Sequence, residues 1–279
     1  MKKQELIKLG KEKYNLDSRT INQVLEFVFD LSKEKVFLLE EINPVFYEKI
    51  IFIFEKLSSG YPLAYIKQKV NFMGLNFYVN EDVLIPRDDT EVLINEVIKD
   101  SERNLDGKIL LDIGTGAGII PITLAKKLDF KEIIAFDISD KALVITKKNI
   151  IKYNLDNIIS LINVDFRKFD YKKLTGENLI ITANLPYIKE GDFENMDFGV
   201  YNFEPKIALY GGKNTGFELY EELINLLIKE KTVFNSLVLF IEIGFDQYEV
   251  SKNFLSKKGL KFEFFKDTNN IDRVIKIII

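Results

Sequence analysis

The sequence predicts an α/β protein: a mostly parallel, doubly wound sheet carrying one reversed strand, preceded by a small helical bundle and a β-hairpin connector. Three observations carry this expectation. From Lys108 onward, apolar runs of strand length alternate with segments of helical period. Up to about Lys67 the apolar residues recur only at helical spacing. The last two strand-like runs, Lys261-Phe265 and Arg273-Ile279, are joined by the polar Asp267-Thr268-Asn269-Asn270, as a closing antiparallel pair requires.

The N-terminal bundle follows from Leu6 and Leu9, then Ile21, Val24, Leu25, Val28 and Leu31, then Ile50, Ile51, Phe54 and Leu57. Asp17-Ser18 offers an N-cap to the second helix, Asn43-Pro44 starts another, and Ser58-Ser59-Gly60-Tyr61-Pro62 breaks the pattern. The boundaries expected are 1–69 for the bundle, 70–85 for the hairpin connector and 86–279 for the main domain. Phe72, Phe77, Val79 and Val83 alternate around turns at Met73-Gly74 and Asn80-Glu81-Asp82. A helix from Thr90 to Ile98 follows, with Asp89 or Thr90 as its cap.

The main domain then reads strand Lys108-Asp112, helix Gly118-Leu128, strand Glu132-Asp137, helix Lys141-Tyr153, strands Ile158-Val164 and Leu179-Ala183, helix Gly216-Ile228 and strand Leu237-Ile243. With the final pair this makes seven strands, one of them antiparallel.

Composition narrows the chemistry. The 279 residues suffice for one large and one smaller domain, and 47% hydrophobic content fills a packed core. A net charge of -4 with mixed signs gives no global positive field, so direct binding to nucleic acid is not expected. Without cysteine or histidine the chain has no disulfide, no thiolate metal site and no imidazole base, and no metal is expected. The charged start and the absence of a membrane-length apolar run predict a cytoplasmic protein, expected to be monomeric. The 23 phenylalanines follow the general Lys, Ile, Asn and Phe bias and point to no function by themselves.

Ile109-Leu110-Leu111-Asp112-Ile113-Gly114-Thr115-Gly116-Ala117-Gly118 joins the first sheet strand to its helix, so its glycines let backbone approach a ligand. The third glycine falls one residue earlier than in a dinucleotide fingerprint, which disfavours a pyrophosphate. Asp137 ends the second strand, where a carboxylate can accept both hydroxyls of a ribose; its plain alternative is a helix N-cap. Ribose without phosphate fits S-adenosyl-L-methionine, leaving S-adenosyl-L-homocysteine as product. Asp112 is placed under the methionine end, to organise the loop or reach the ammonium through water. Asp165 and Phe166 follow the third strand, where a carboxylate can take an adenine amino group and a ring can cover the base.

Asn184-Leu185-Pro186-Tyr187 follows the run Asn178-Ala183 and should emerge at the same sheet edge. The Asn184 side-chain oxygen and the Leu185 carbonyl can grip both hydrogens of a planar NH2 group while Tyr187 stacks on its face. Pro186 fixes the turn and biases Leu185 toward extended backbone. This suits methylation of an amide or amino nitrogen, and the plain alternative is an Asn/Pro turn.

With these motifs the chain resembles the HemK/PrmC family of protein-(glutamine-N5) methyltransferases. Pro62-Leu63-Ala64-Tyr65-Ile66, Phe72-Met73-Gly74-Leu75 and Val83-Leu84-Ile85-Pro86-Arg87 match its junction segments. Glu204-Pro205-Lys206-Ile207-Ala208-Leu209-Tyr210-Gly211-Gly212, Phe240-Ile241-Glu242-Ile243-Gly244 and Asp272-Arg273-Val274 match downstream.

The resemblance implies a Rossmann-like class I S-adenosylmethionine-dependent methyltransferase acting on the Gly-Gly-Gln glutamine of class 1 peptide chain release factors; from the layout, the N-terminal bundle is expected to recognise the factor outside that glutamine loop, since a tripeptide offers little area for selectivity. The resemblance also implies cofactor binding by Gly114, Thr115, Gly116, Ala117, Gly118, Asp137, Phe166 and Asn184, and glutamine binding by Asn184 through Tyr187. Arg87 would support the peptide site or form an interdomain ion pair.

Leu185 stands where that family usually has proline, Asp88-Asp89 where Pro-Glu is usual, Phe203 where tyrosine is common, and Phe166 where tryptophan is often found. Asn-Leu-Pro-Tyr is also the form of adenine-N6 methyltransferases, so an RNA or DNA adenine methyltransferase remains an alternative. So does a non-catalytic S-adenosylmethionine-binding module, and more distantly an NAD-dependent oxidoreductase.

Overall fold

The computed structural model describes residues 2–102 and 107–279, which fall into two compact units. The first contains the residues up to Gln68 together with Phe198–Phe203; the second contains Lys69–Asp197 and Glu204–Ile279.

In the first unit, helices α1 (Lys3–Tyr14), α2 (Ser18–Phe29), α3 (Lys33–Leu38), α4 (Tyr47–Ser58) and α5 (Leu63–Lys67) enclose a core of Leu6, Ile21, Val24, Leu25, Ile50 and Phe54. The helix starts are fixed locally. The Asp17 carboxylate accepts the Thr20 N–H at 2.9 Å, and the Asn43 side chain accepts from Val45 N–H with Pro44 leading the turn into α4. Phe198–Phe203 joins this unit through aromatic contact: the Phe203 ring lies 5.1 Å from Tyr61, edge on. Periodicity within the first 69 residues carries no signal of a packing partner so far downstream.

The second unit opens with a hairpin, β1 (Val70–Phe72) and β2 (Leu75–Phe77), in register Phe72↔Leu75. Met73 and Gly74 both have positive φ, as a two-residue turn of this hand needs. The hairpin expected as a connector thus clusters with the sheet unit. Helix α6 (Thr90–Ser101) follows, and its N-cap position is Asp89 but no side chain makes the cap bond; Asp89 turns to Arg273, at 3.2 Å.

The central sheet comprises β3 (Lys108–Ile113), β4 (Glu132–Asp137), β5 (Ile159–Asn163), β6 (Asn178–Ala183), β9 (Ser236–Glu242), β10 (Lys261–Lys266) and β11 (Asp272–Ile278). Between them lie α7 (Ile119–Ala125), α8 (Asp140–Lys152), β7 (Ile188–Lys189), α9 (Phe198–Phe203), β8 (Tyr210–Gly212), α10 (Glu218–Glu230) and α11 (Tyr248–Lys257); β7 and β8 pair separately. The sheet order is β10-β11-β9-β6-β3-β4-β5, with β11 antiparallel to both neighbours and the other contacts parallel. One reversed strand in seven is the expected arrangement. Helix α11 was not foreseen, because only two of its residues, Ser251 and Leu255, are buried.

The strand order reverses between β3 and β6, which places the ligand crevice of an open α/β sheet there. Among the described residues no helix is long and apolar enough to cross a membrane.

Candidate active site

Register brings the sequence motifs together. Ile113 on β3 pairs with Ala183 on β6, which pairs with Ile241 on β9, so one step further along lie Gly114, Asn184 and Glu242 in a row. Phe136 pairs with Ile113, so Asp137 joins the same edge. Beyond this edge lies a cavity of ≈ 310 Å³ whose wall includes Gly114, Thr115, Gly116, Ala117, Asp137, Asp165, Phe166, Asn184, Leu185, Pro186 and Arg87. That volume is within the range of small-molecule sites. Gly118 and Tyr187 are not among its lining residues.

Gly118 packs closely on α8: at φ +80°, a Cβ there would sit 2.7 Å from Thr146 Cγ2. Tyr187 lies against Gly244, where a Cβ would be 3.3 Å from the Tyr187 ring, and its carbonyl accepts the Gln247 side-chain N–H at 3.1 Å.

The glycine loop is tied to Asp137. One carboxylate oxygen accepts Gly116 N–H and the other accepts Ser139 N–H, both at 2.9 Å. The cap of α8 belongs to Ser139, whose hydroxyl accepts Ala142 N–H, so the alternative role considered for Asp137 is filled by its neighbour. Burial raises the Asp137 carboxyl above its ordinary range, opposed by those backbone donors.

Asp112 beneath the loop is fully buried, and burial pushes it up to about 6. The Thr182 hydroxyl donates to one of its oxygens at 2.6 Å across the β3–β6 register. Thr115 lies beside it without a well-formed bond, so Asp112 Oδ2 and Thr115 Oγ1 have no partner among the described residues.

Asp165 is held by Arg167, with Nε at 2.8 Å from one oxygen and Nη2 at 2.6 Å from the other, and it also caps the short turn at Phe166. Arg167 draws its carboxyl below the ordinary range. Phe166 is 6% exposed, and the Arg167 guanidinium lies 5.4 Å over its ring.

Arg87 pairs with Glu204, whose second oxygen accepts Ile85 N–H at 3.1 Å. Both partners lie in the second unit, so the ion pair is not interdomain. The two arginines on the cavity wall are therefore each committed to a carboxylate. A wall of carboxylate, hydroxyl and amide acceptors with engaged cations suits a ligand of hydroxyl and ammonium donors better than a pyrophosphate.

Asn184 is held from behind by residues that periodicity did not single out. Its Nδ2 donates to the Thr90 hydroxyl at 3.3 Å. Glu242, fully buried, is raised to about 7 by burial, while Thr90 and Asn184 as neighbouring hydrogen-bond donors pull it down; its Oε2 has no partner among the described residues. An amide whose Nδ2 faces these oxygens keeps Oδ1 as its acceptor. Tyr220, also fully buried, meets the backbone of Leu185 and of Glu242. The available signal for Glu242 was a carboxylate inside the apolar run Leu237-Ile243. Tyr220 gave none, since it falls on the ordinary apolar face of α10.

Comparisons agree with this architecture. A family model described as ribosomal protein L11 methyltransferase (PrmA) matches residues 92–185. A release factor glutamine methyltransferase of Clostridium botulinum is 34% identical over 253 residues, 88% of this chain and 87% of the relative. One of Mycoplasma mycoides subsp. mycoides is 34% identical over 271 residues, 95% of this chain and 94% of the relative. Among solved structures, the N-terminal domain of human METTL16 in complex with SAH has a TM-score of 0.51 and 17% identity, covering 73% of this chain and 75% of that one, a likeness of fold.

Proposed function

The chain belongs to the release factor glutamine methyltransferase family, and from that premise we propose that it methylates the side-chain amide nitrogen of the Gly-Gly-Gln glutamine in class 1 release factors, with S-adenosylmethionine as donor. The observation that carries this reading is that Asn184 and Leu185 line one cavity with the Gly114–Ala117 loop and Asp137. Acceptor clamp and cofactor candidates share a wall.

When bound, S-adenosylmethionine supplies an electrophilic methyl on a sulfonium. Asp137 and the glycine loop fit its ribose and amino-acid parts: each Asp137 oxygen keeps a lone pair beyond the backbone N–H it accepts, and Thr115 Oγ1 has unused capacity. Phe166 offers an apolar face for the base. In-line transfer demands orientation and exclusion of water more than a strong base, which suits a chain without histidine.

An amide nitrogen is a weak nucleophile because its lone pair is delocalised into the carbonyl. Asn184 Oδ1 and the Leu185 carbonyl, by accepting its two hydrogens, favour pyramidalisation and spread the positive charge that develops; as the N–CH3 bond forms the S–CH3 bond breaks with its electrons returning to sulfur, and one of the two held hydrogens then leaves to solvent as a proton. Arg87, fixed by Glu204, is the candidate support for the peptide next to the clamp. The N-terminal unit is assigned recognition of the factor outside the glutamine loop, since a tripeptide offers little area for selectivity.

The test incubates the protein with S-adenosylmethionine and a purified class 1 release factor and follows the Gly-Gly-Gln tryptic peptide by mass spectrometry. One added methyl is expected; Asn184→Ala abolishes it while the variant keeps a cooperative urea unfolding transition close to the parent's. Methyl label in RNA instead of protein refutes the reading. Equal transfer to intact factor and to an isolated Gly-Gly-Gln peptide removes the role assigned to the N-terminal unit.

A further inference from the structure

Leu185 brings to the clamp something that proline at this position would lack: a backbone N–H. Leu185 is 5% exposed, so that donor is cut off from water. A buried N–H without a partner weakens the conformation that holds it by roughly tenfold to a hundredfold. The partner comes from α10. The Tyr220 hydroxyl accepts Leu185 N–H at 2.8 Å.

The hydroxyl has one proton to give and two neighbouring carbonyls to receive it. Its contact with the Glu242 backbone carbonyl is the shorter, while the Leu185 carbonyl stands at 3.3 Å. The proton therefore goes to Glu242, the oxygen lone pairs face Leu185 N–H, and the Leu185 carbonyl keeps its accepting capacity. Complete burial holds the phenol well above its ordinary range, so it stays a neutral donor and acceptor. The same hydroxyl thus ties the end of β9 to the peptide that begins the clamp. Leu185 also reaches toward the cofactor loop, where a Cβ on Gly114 would lie 3.0 Å from its Cδ2.

Resting on the methyltransferase reading above, we propose that Tyr220 is a positioning residue for the acceptor clamp, fixing the Asn184–Leu185 peptide by the hydrogen bond that a proline ring makes unnecessary. Leu185 and Tyr220 form one device: the hydroxyl accepts the extra N–H and leaves the carbonyl to the glutamine amide. A phenol that merely filled the core would show no dependence on which residue occupies position 185.

Four proteins decide it: the parent, Tyr220→Phe, Leu185→Pro and the double variant, each assayed with labelled S-adenosylmethionine and a purified release factor. With Leu185 present, Tyr220→Phe is expected to lower kcat by roughly tenfold or more, with S-adenosylmethionine affinity by calorimetry kept within about twofold. On the Leu185→Pro background the same replacement is expected to cost less than about threefold, because there is no N–H left to orphan. Equal penalties on both backgrounds overturn the proposal.

Amide hydrogen exchange at Leu185 reads the bond without reference to catalysis or to the double variant's folding. Slow exchange in the parent that accelerates in Tyr220→Phe supports the bond, and unprotected exchange in the parent overturns it. A protected parent that methylates no release factor overturns the functional reading instead.

Discussion

Replacing Glu242 by Gln should flatten the pH dependence of stability. Its carboxyl is fully buried at the end of β9, and burial moves it from an ordinary 4.5 up to about 7, against the pull of Thr90 and Asn184. A carboxyl whose folded pKa is raised binds its proton more tightly in the native state. The stability it provides is therefore full below about pH 4.5 and is lost as pH rises through about 7.

The interval between those two values corresponds to about 3 kcal/mol. Glutamine has nearly the same shape and no charge to bury, so its curve lacks that slope. Urea unfolding of parent and Glu242→Gln at constant ionic strength, from about pH 4.5 to about pH 8, should show the variant gaining about 3 kcal/mol relative to the parent. Asp112, raised to about 6, contributes to both curves and cancels in the difference. Parallel curves across this window would refute the argument, since they would mean that Glu242 is charged and compensated in the folded protein throughout.

Asp137→Ala removes the acceptor of both Gly116 N–H and Ser139 N–H, so S-adenosylmethionine should bind roughly a hundredfold more weakly by titration calorimetry. Gly118→Ala forces a side chain into positive φ and toward Thr146 Cγ2 at 2.7 Å, and should cost about 1–3 kcal/mol in thermal or urea unfolding. Glu204→Ala strips Arg87 of its partner and leaves Ile85 N–H bare; a loss of about 2 kcal/mol is expected. Glu204→Gln, which retains an acceptor for Ile85, should recover part of it.

Much of the main domain was legible because its order is local. Strand Glu132–Asp137 and helix Asp140–Lys152 lie within a residue of their expected limits, since a continuous buried run in the one and a helical period of burial in the other are written directly into consecutive side chains. Asp17 and Asn43 could be assigned as caps because a cap reaches only two or three residues along the chain. The Asp89 expectation failed as a side-chain cap because Arg273, from the last strand, competes for its carboxylate.

The order of side chains along the chain already specifies a doubly wound sheet, one reversed strand, and a glycine loop, an acid and an Asn-Leu-Pro-Tyr turn, each at the end of a strand. Tertiary structure alone decided what stands behind them. Thr90 and Glu242 meet Asn184, and Tyr220 meets Leu185, because parallel strands set the ends of β3, β6 and β9 in one register while α6 and α10 pack beside them; Glu204 meets Arg87 across more than a hundred residues of chain. Periodicity records that a residue is buried. It carries no address for the partner, and a hydrogen bond between residues far apart in the chain exists only once crossover connections have brought two strand ends side by side.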